Sequence, residues 1–108
     1  MSLTVQIVYK GEGDNAEKFA EEMTSCGLVE AVRSEQGNLR YEYFLPLRRD
    51  GSVLLMDSWQ DQAALDAHHA SPLMGKIAAL REKYDLHMTV EKFVSAQSDD
   101  GDEKFVRK

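Results

Sequence analysis

Hydrophobic and polar positions alternate with a period of two from Thr4 to Tyr9. Val5, Ile7 and Tyr9 face away from Thr4, Gln6 and Val8, and the stretch reads as a first strand. Lys10-Gly11-Glu12-Gly13 breaks it, and the period then changes. Ala16, Phe19, Ala20 and Met23 recur at helical spacing, with Asp14 or Asn15 at the cap and Glu17 in an acidic first turn. Gly27 interrupts this stripe, and Leu28, Val29 and Val32 resume it at a shifted phase. The spacing predicts one broken helix or two short ones ending at Gln36-Gly37, with Gly37 suited to a C-cap. A second strand is expected over Asn38 to Leu47. Leu39, Tyr41, Tyr43 and Leu45 lie on one face of it, and Asn38, Arg40, Glu42 and Phe44 on the other. Pro46 falls near its end, where a missing amide donor costs least. Asp50-Gly51 signals a hairpin turn that leads into an antiparallel third strand, Val53 to Trp59. Asp61 then stands at the N-cap of a helix carrying Ala64, Leu65 and Ala67, followed by His68 and His69. The helix breaks at Ser71-Pro72 and continues through Met74, Ile77, Ala78 and Leu80. His87 to Val94 forms a fourth strand, with Met88, Val90 and Val94 on one face and Phe93 on the other.

The element order β-α-β-β-α-β places the chain in the α+β class. It predicts a ferredoxin-like four-stranded antiparallel sheet with helices on one face. Residues 1–95 make one domain, and residues 96–108 make an acidic, flexible tail. Ser98 to Glu103 is expected to be mobile, while Phe105-Val106 is an apolar pair able to dock elsewhere. The face of the sheet without helices should be polar in a monomer. It does not read that way: Val53 to Met56 is apolar on both faces, and Phe44 stands opposite Tyr41, Tyr43 and Leu45. An open apolar face of this size predicts a homodimer packed sheet to sheet.

With 108 residues and 43% hydrophobic positions, the chain has the makings of a single core. A net charge of −6 argues against nucleic acid and anionic membrane as partners. Cys26 is the only cysteine, so no intrachain disulfide forms, which fits a cytoplasmic location. No apolar run of about 18 residues reads as a membrane span, and the N-terminus lacks the basic-then-apolar pattern of a signal segment.

Three segments carry a resemblance: Glu35-Gln36-Gly37-Asn38-Leu39-Arg40-Tyr41-Glu42, Asp57-Ser58-Trp59-Gln60-Asp61, and Ala63 to His68 followed by Ser71-Pro72. Together they resemble the antibiotic biosynthesis monooxygenase family over roughly Val5 to Val94. The resemblance implies a dimeric α/β barrel. It also implies oxidation of a phenolic or quinol-like aromatic small molecule by molecular oxygen, without metal, haem or flavin. The matching positions are Asn38, Tyr41 and His68 as catalytic residues and Trp59 as a substrate-binding residue. Family members with other activities include an isomerase of a phosphorylated signalling sugar and haem-degrading enzymes. The haem degraders place an axial histidine further along the second helix, where this chain has Ile77, Ala78 and Ala79. Leu73 also stands where many members carry a second histidine.

Residue chemistry fits the oxygenase reading. The substrate must lose a phenolic proton before its electron-rich anion can pass an electron to oxygen. Histidine has a suitable pKa for that task. Asn38 or Tyr41 could donate to the oxyanion, and Trp59 could wall an aromatic ring. Each residue also has a plain structural reading. For His68 it is a bond to backbone or a carboxylate, for Trp59 a place in the core, and for Asn38 after Gly37 a turn. His69 points about 100° from His68 and should face solvent. The histidines and scattered carboxylates lack zinc spacing, so no metal site is expected. An isomerase would need cations for a phosphate, for which Arg40 and Lys76 are the candidates. A non-catalytic small-molecule-binding dimer is the third reading.

Overall fold

The computed structural model describes residues 1–97 and 100–108. Its strands are β1 (Leu3–Lys10), β2 (Asn38–Phe44), β3 (Val53–Trp59) and β4 (His87–Val94). Its helices are α1 (Asn15–Ser25), α2 (Leu28–Arg33), α3 (Gln62–His69), α4 (Leu73–Lys83) and the single turn α5 (Asp100–Glu103). The strands form one antiparallel sheet in the order β2-β3-β1-β4, the ferredoxin-like arrangement that the element order predicts. Both expected helical breaks are present. Gly27, at φ +88°, ends the first helical run and opens the second. Pro72 opens α4 after α3 ends.

The period-two pattern sorts residues between the two faces. Leu3, Val5, Ile7 and Tyr9 of β1 are buried toward the helices, with Thr4, Gln6 and Val8 on the open face. In β3 the helix-facing set is Val53, Leu55, Asp57 and Trp59, all buried. A carboxylate thus occupies one position of an otherwise apolar row. Phe19 and Met23 from α1, Val32 from α2, Leu65 from α3 and Ile77 from α4 close the core over this face. Burying each large apolar side chain contributes roughly 1.5–3 kcal/mol.

Several expectations need correction. β2 ends at Phe44 rather than Leu47, and Leu47 is fully solvent-exposed. The register slips between Asn38 and Arg40, so Leu39 is the extra residue of a bulge and lies exposed. Asp14 makes no side-chain cap bond. Asn15 instead donates through Nδ2 to the Tyr84 carbonyl, 3.2 Å away, tying α1 to the end of α4. Asp61 does cap α3, accepting from the Ala64 amide at 2.9 Å. In the tail, α5 makes a helical turn where no element was expected, Phe105 and Val106 are exposed, and Ser98 and Asp99 lie outside the described residues.

The open face is mixed rather than uniformly apolar. Phe44, Leu54 and Val8 align in one row across β2, β3 and β1, while Glu42, Met56, Gln6 and Glu91 make another. Leu55 is not on this face, because it is only 1% exposed beneath the helices. The outer strand β4 has little cover on either side, with Met88, Val90, Phe93 and Val94 all exposed.

Gly37 fixes α3 against the sheet. Its φ is +84°, and a Cβ there would come within 2.6 Å of the Ala64 Cβ. Its carbonyl accepts the Gln60 amide at 2.8 Å. Gly37→Ala should therefore lower unfolding free energy by at least about 2 kcal/mol, combining left-handed strain with overpacking. Gly13→Ala, at φ +57° in open space, should cost about 1 kcal/mol from strain alone. Urea titration compares the two, and equal losses would mean that α3 yields freely at Gly37.

Candidate functional site

The helix-facing side of β1, β3 and β4 and the inner sides of α3 and α4 enclose a cavity of about 260 Å³. Val5, Ile7 and Leu55 form its floor, Leu65, Met74 and Ile77 line its helical side, and Met88 and Val90 stand at its open edge. Tyr41 from β2, Asp57 from β3, His68 from α3 and Arg81 from α4 bring polar groups to it from four elements, and the exposed Gln62, His69 and Lys92 also line it. A groove of about 390 Å³ lies between α1 and β2, but it lacks such a convergence of titratable groups.

Helical spacing places His68. Ala64, Leu65 and His68 are the buried positions of α3, because residues three and four apart share a face. The imidazole is only 3% exposed. Its Nδ1 lies 2.7 Å from Oε1 of Glu35, in the loop after α2. A carboxylate only accepts hydrogen bonds, so Nδ1 donates to Glu35, and Nε2 is the ring nitrogen left for a second partner. His69 is exposed at the cavity rim, and burial followed by the charge of His68 lowers its pKa.

Trp59 stands behind this histidine rather than in the cavity wall. It is fully buried, and its rings stack on His68 with centroids 4.7 Å apart. Its indole N–H donates to Asp57 Oδ1 at 2.7 Å. Asp57 is 4% exposed and has no cation within ion-pairing distance among the described residues. Burial pushes its carboxyl up to about 6, against the smaller opposing pull of His68 and the indole hydrogen bond.

Tyr41 lines the cavity and is 2% exposed. Its hydroxyl lies 3.2 Å from that of Tyr43, and burial raises its pKa. Arg81 donates through Nη2 to the Tyr9 hydroxyl at 2.9 Å, and its buried Nε has no partner among the described residues.

The structure brings His68, Tyr41 and Trp59 together, though Trp59 acts from behind. Asn38 does not join them. It sits at the β2 bulge, where its Nδ2 donates to the carbonyls of Arg40 at 3.2 Å and Ser58 at 3.3 Å. Both bonds hold the bulge, so the amide is aimed along the strand edge and not into the cavity. Arg40 and Lys76 also lie elsewhere: Arg40 pairs with Glu42, and Lys76 is exposed on α4. The cations at the cavity are Arg81 and Lys92. Sequence reasoning missed Asp57, Glu35 and Arg81. Asp57 was accessible from the β3 alternation, which puts it on the face of Leu55 and Trp59. Arg81 was accessible from its spacing of four to Ile77 on α4, while Glu35 carries no local signal. No group of three or more metal-ligating side chains occurs among the described residues.

Asp57 makes stability depend on pH in a definite direction. Its folded pKa lies above the unfolded value, so its stabilising contribution is complete below pH 4 and is lost as pH rises through about 6. Relative to Asp57→Asn, which keeps an acceptor for the indole, the wild type should lose up to about 3 kcal/mol between pH 4 and pH 7. Urea midpoints of both proteins at the two pH values measure this. A constant difference would mean that the carboxyl titrates normally.

Comparison with known proteins matches this chain at residues 2–80 to the antibiotic biosynthesis monooxygenase family. A Bacillus subtilis (strain 168) protein named "Putative monooxygenase YcnE" is 28% identical over 67 residues, 62% of this chain and 68% of that protein. Among solved structures, the cofactor-independent oxygenase SnoaB from Streptomyces nogalater superposes with a TM-score of 0.73 at 18% identity, covering 90% of this chain and 95% of its own. Protein PA3566 of Pseudomonas aeruginosa gives a TM-score of 0.74 at 20% identity, covering 89% and 95%. These two likenesses speak to the fold. The match over residues 2–80, more than half of the chain, establishes membership: the protein belongs to the antibiotic biosynthesis monooxygenase family.

Proposed function

We propose that this protein is a cofactor-independent monooxygenase that oxidises a phenolic or quinol-like aromatic molecule with molecular oxygen. The observation that carries the reading is the buried His68, held through Nδ1 by Glu35 and lining a cavity with apolar walls. His68 takes the phenolic proton as general base. The aromatic anion then passes an electron to oxygen in a site where apolar walls exclude water. The Arg81 guanidinium and the Tyr41 hydroxyl are the donors placed to steady the oxyanion. Trp59 positions the imidazole rather than touching the substrate. A cavity of about 260 Å³ suits a compact ring system. The family and the fold shared with a cofactor-independent oxygenase support the same reading.

One observation favours a second reading. Arg81 and Lys92 at the cavity would also suit an anionic group, as an isomerase of a small phosphorylated metabolite requires. An oxygen electrode with a panel of quinols and anthrones separates the two. Uptake with any of them supports the oxygenase. No uptake, together with rearrangement of a phosphorylated ketose followed by NMR, supports the isomerase.

His68→Ala should lower turnover about 10²–10⁴-fold, while His69→Ala should change it little. Glu35→Gln should cause a smaller loss than His68→Ala, since it frees the ring without removing the base. Circular dichroism must first show all three variants folded. Equal activity in the two histidine variants would remove His68 from the mechanism.

The open sheet face is the proposed homodimer surface, with Leu54, Met56, Val8 and Phe44 at its centre. Leu54→Glu should convert the dimer to monomer, because an unpaired buried charge costs roughly 3–5 kcal/mol. Sedimentation velocity reads the outcome, and an unmodified protein that runs as a monomer would end the proposal.

A further inference from the structure

Asp57 is unusual in its surroundings. It lies in the middle of the sheet, opposite Val5 on one side and Tyr41 on the other. Oδ1 accepts the Trp59 N–H, and the other oxygen has no partner among the described residues. Such a buried carboxyl lowers stability when ionised, as derived above, and the indole bond occupies only one of its two oxygens. Every element packed around it sends a titratable or charged group toward it: Tyr9 from β1, Tyr41 from β2, His68 from α3, Arg81 from α4 and Glu35 from the loop after α2. His68 belongs to the helical wall of the cavity and Asp57 to its sheet floor. A ligand in the cavity therefore meets two proton-accepting groups, one from α3 and one from β3.

We propose that Asp57 is a second catalytic acid–base residue, which takes the carbon-bound proton of the hydroperoxide formed by oxygen addition and returns it to the departing hydroxide. The inference rests on the oxygenase reading. In the first step His68 Nε2 takes the phenolic proton, the substrate anion reduces oxygen, and a carbon–oxygen bond forms. The imidazolium then protonates the outer peroxide oxygen, leaving a hydroperoxide on carbon. In the second step the Asp57 carboxylate removes the remaining hydrogen from that carbon as a proton. The C–H electron pair becomes the second bond of a new carbonyl while the O–O bond breaks, and hydroxide leaves. The Asp57 proton converts hydroxide to water. One oxygen molecule is consumed, one atom enters the product and one leaves as water.

The test uses an anthrone as substrate, with wild type and Asp57→Asn checked for folding by circular dichroism. Wild-type oxygen uptake examines the oxygenase reading by itself. In the wild type, kcat for quinone formation should fall about tenfold per pH unit below an apparent pKa of about 6. Asp57→Asn should keep only the dependence set by His68, form quinone about 10²–10⁴-fold more slowly, and release organic hydroperoxide, detected by ferrous iron oxidation. Carbon-13 NMR of aspartate-labelled wild type gives a readout that does not need turnover. The carboxyl signal missing from Asp57→Asn should shift its titration midpoint when 1,8-dihydroxyanthraquinone is added. An Asp57→Asn protein with the wild-type rate, pH profile and quinone product overturns the inference and leaves the oxygenase reading standing. A midpoint unmoved by the probe also overturns it. Absence of oxygen uptake by the wild type ends both.

Discussion

The buried indole of Trp59 is the piece on which the site depends. An indole N–H removed from water needs an acceptor, and the only one its geometry reaches is Asp57, two residues back on the same face of β3. The strand period of two therefore brings a carboxylate into the core along with the ring. The face of the same ring supports His68. One large side chain thus orients an imidazole on one element and retains a carboxyl on another. Replacing it with a smaller apolar residue would free the first and orphan the second.

Around this contact the fold supplies rigidity from several directions. α3 is capped by Asp61, held close to the β2 entry by Gly37, and locked to the loop after α2 by the Glu35–His68 bond. The helix that carries the imidazole is therefore fixed at its start, along its packed face and at its last turn. A short helix gains little from intrinsic propensity, and these tertiary ties are what make its phase definite. The separation of roles between His68 and His69 follows from that phase.

Much of this was legible in the residues. Alternation in β1 and β3, the changes of period at the two helical runs, the break at Gly27 and the cap at Asp61 all came from local physics that tertiary structure did not override. The sheet-facing position of His68 followed from its spacing to Ala64 and Leu65. What could not be seen depended on register and on contacts distant in sequence. The bulge at Leu39 exposed a residue expected to share the face of Tyr41, and the same bulge captured the Asn38 amide. Leu55 and Leu54 look alike in the sequence, and only pairing with β1 shows which one faces the helices. Glu35 meets the site through a loop whose path carries no sequence pattern, whereas Arg81 follows Ile77 by four residues on α4 and shares its face. Trp59 was expected to touch a ligand, but its size favoured complete burial.

The bare outer strand has a consequence for how such a protein can change over time. Met88 and Val90 edge the cavity from β4, which no helix covers. The buried titratable groups Asp57 and His68 stand on β3 and α3, deep in the core. The cavity's exposed edge and its buried polar groups are therefore held by different segments of chain. Substitutions along β4 can reshape the doorway while disturbing neither the indole contact nor the packing beneath it. A lineage built this way can change the shape of what enters the cavity through a few surface mutations and keep the arrangement beneath it.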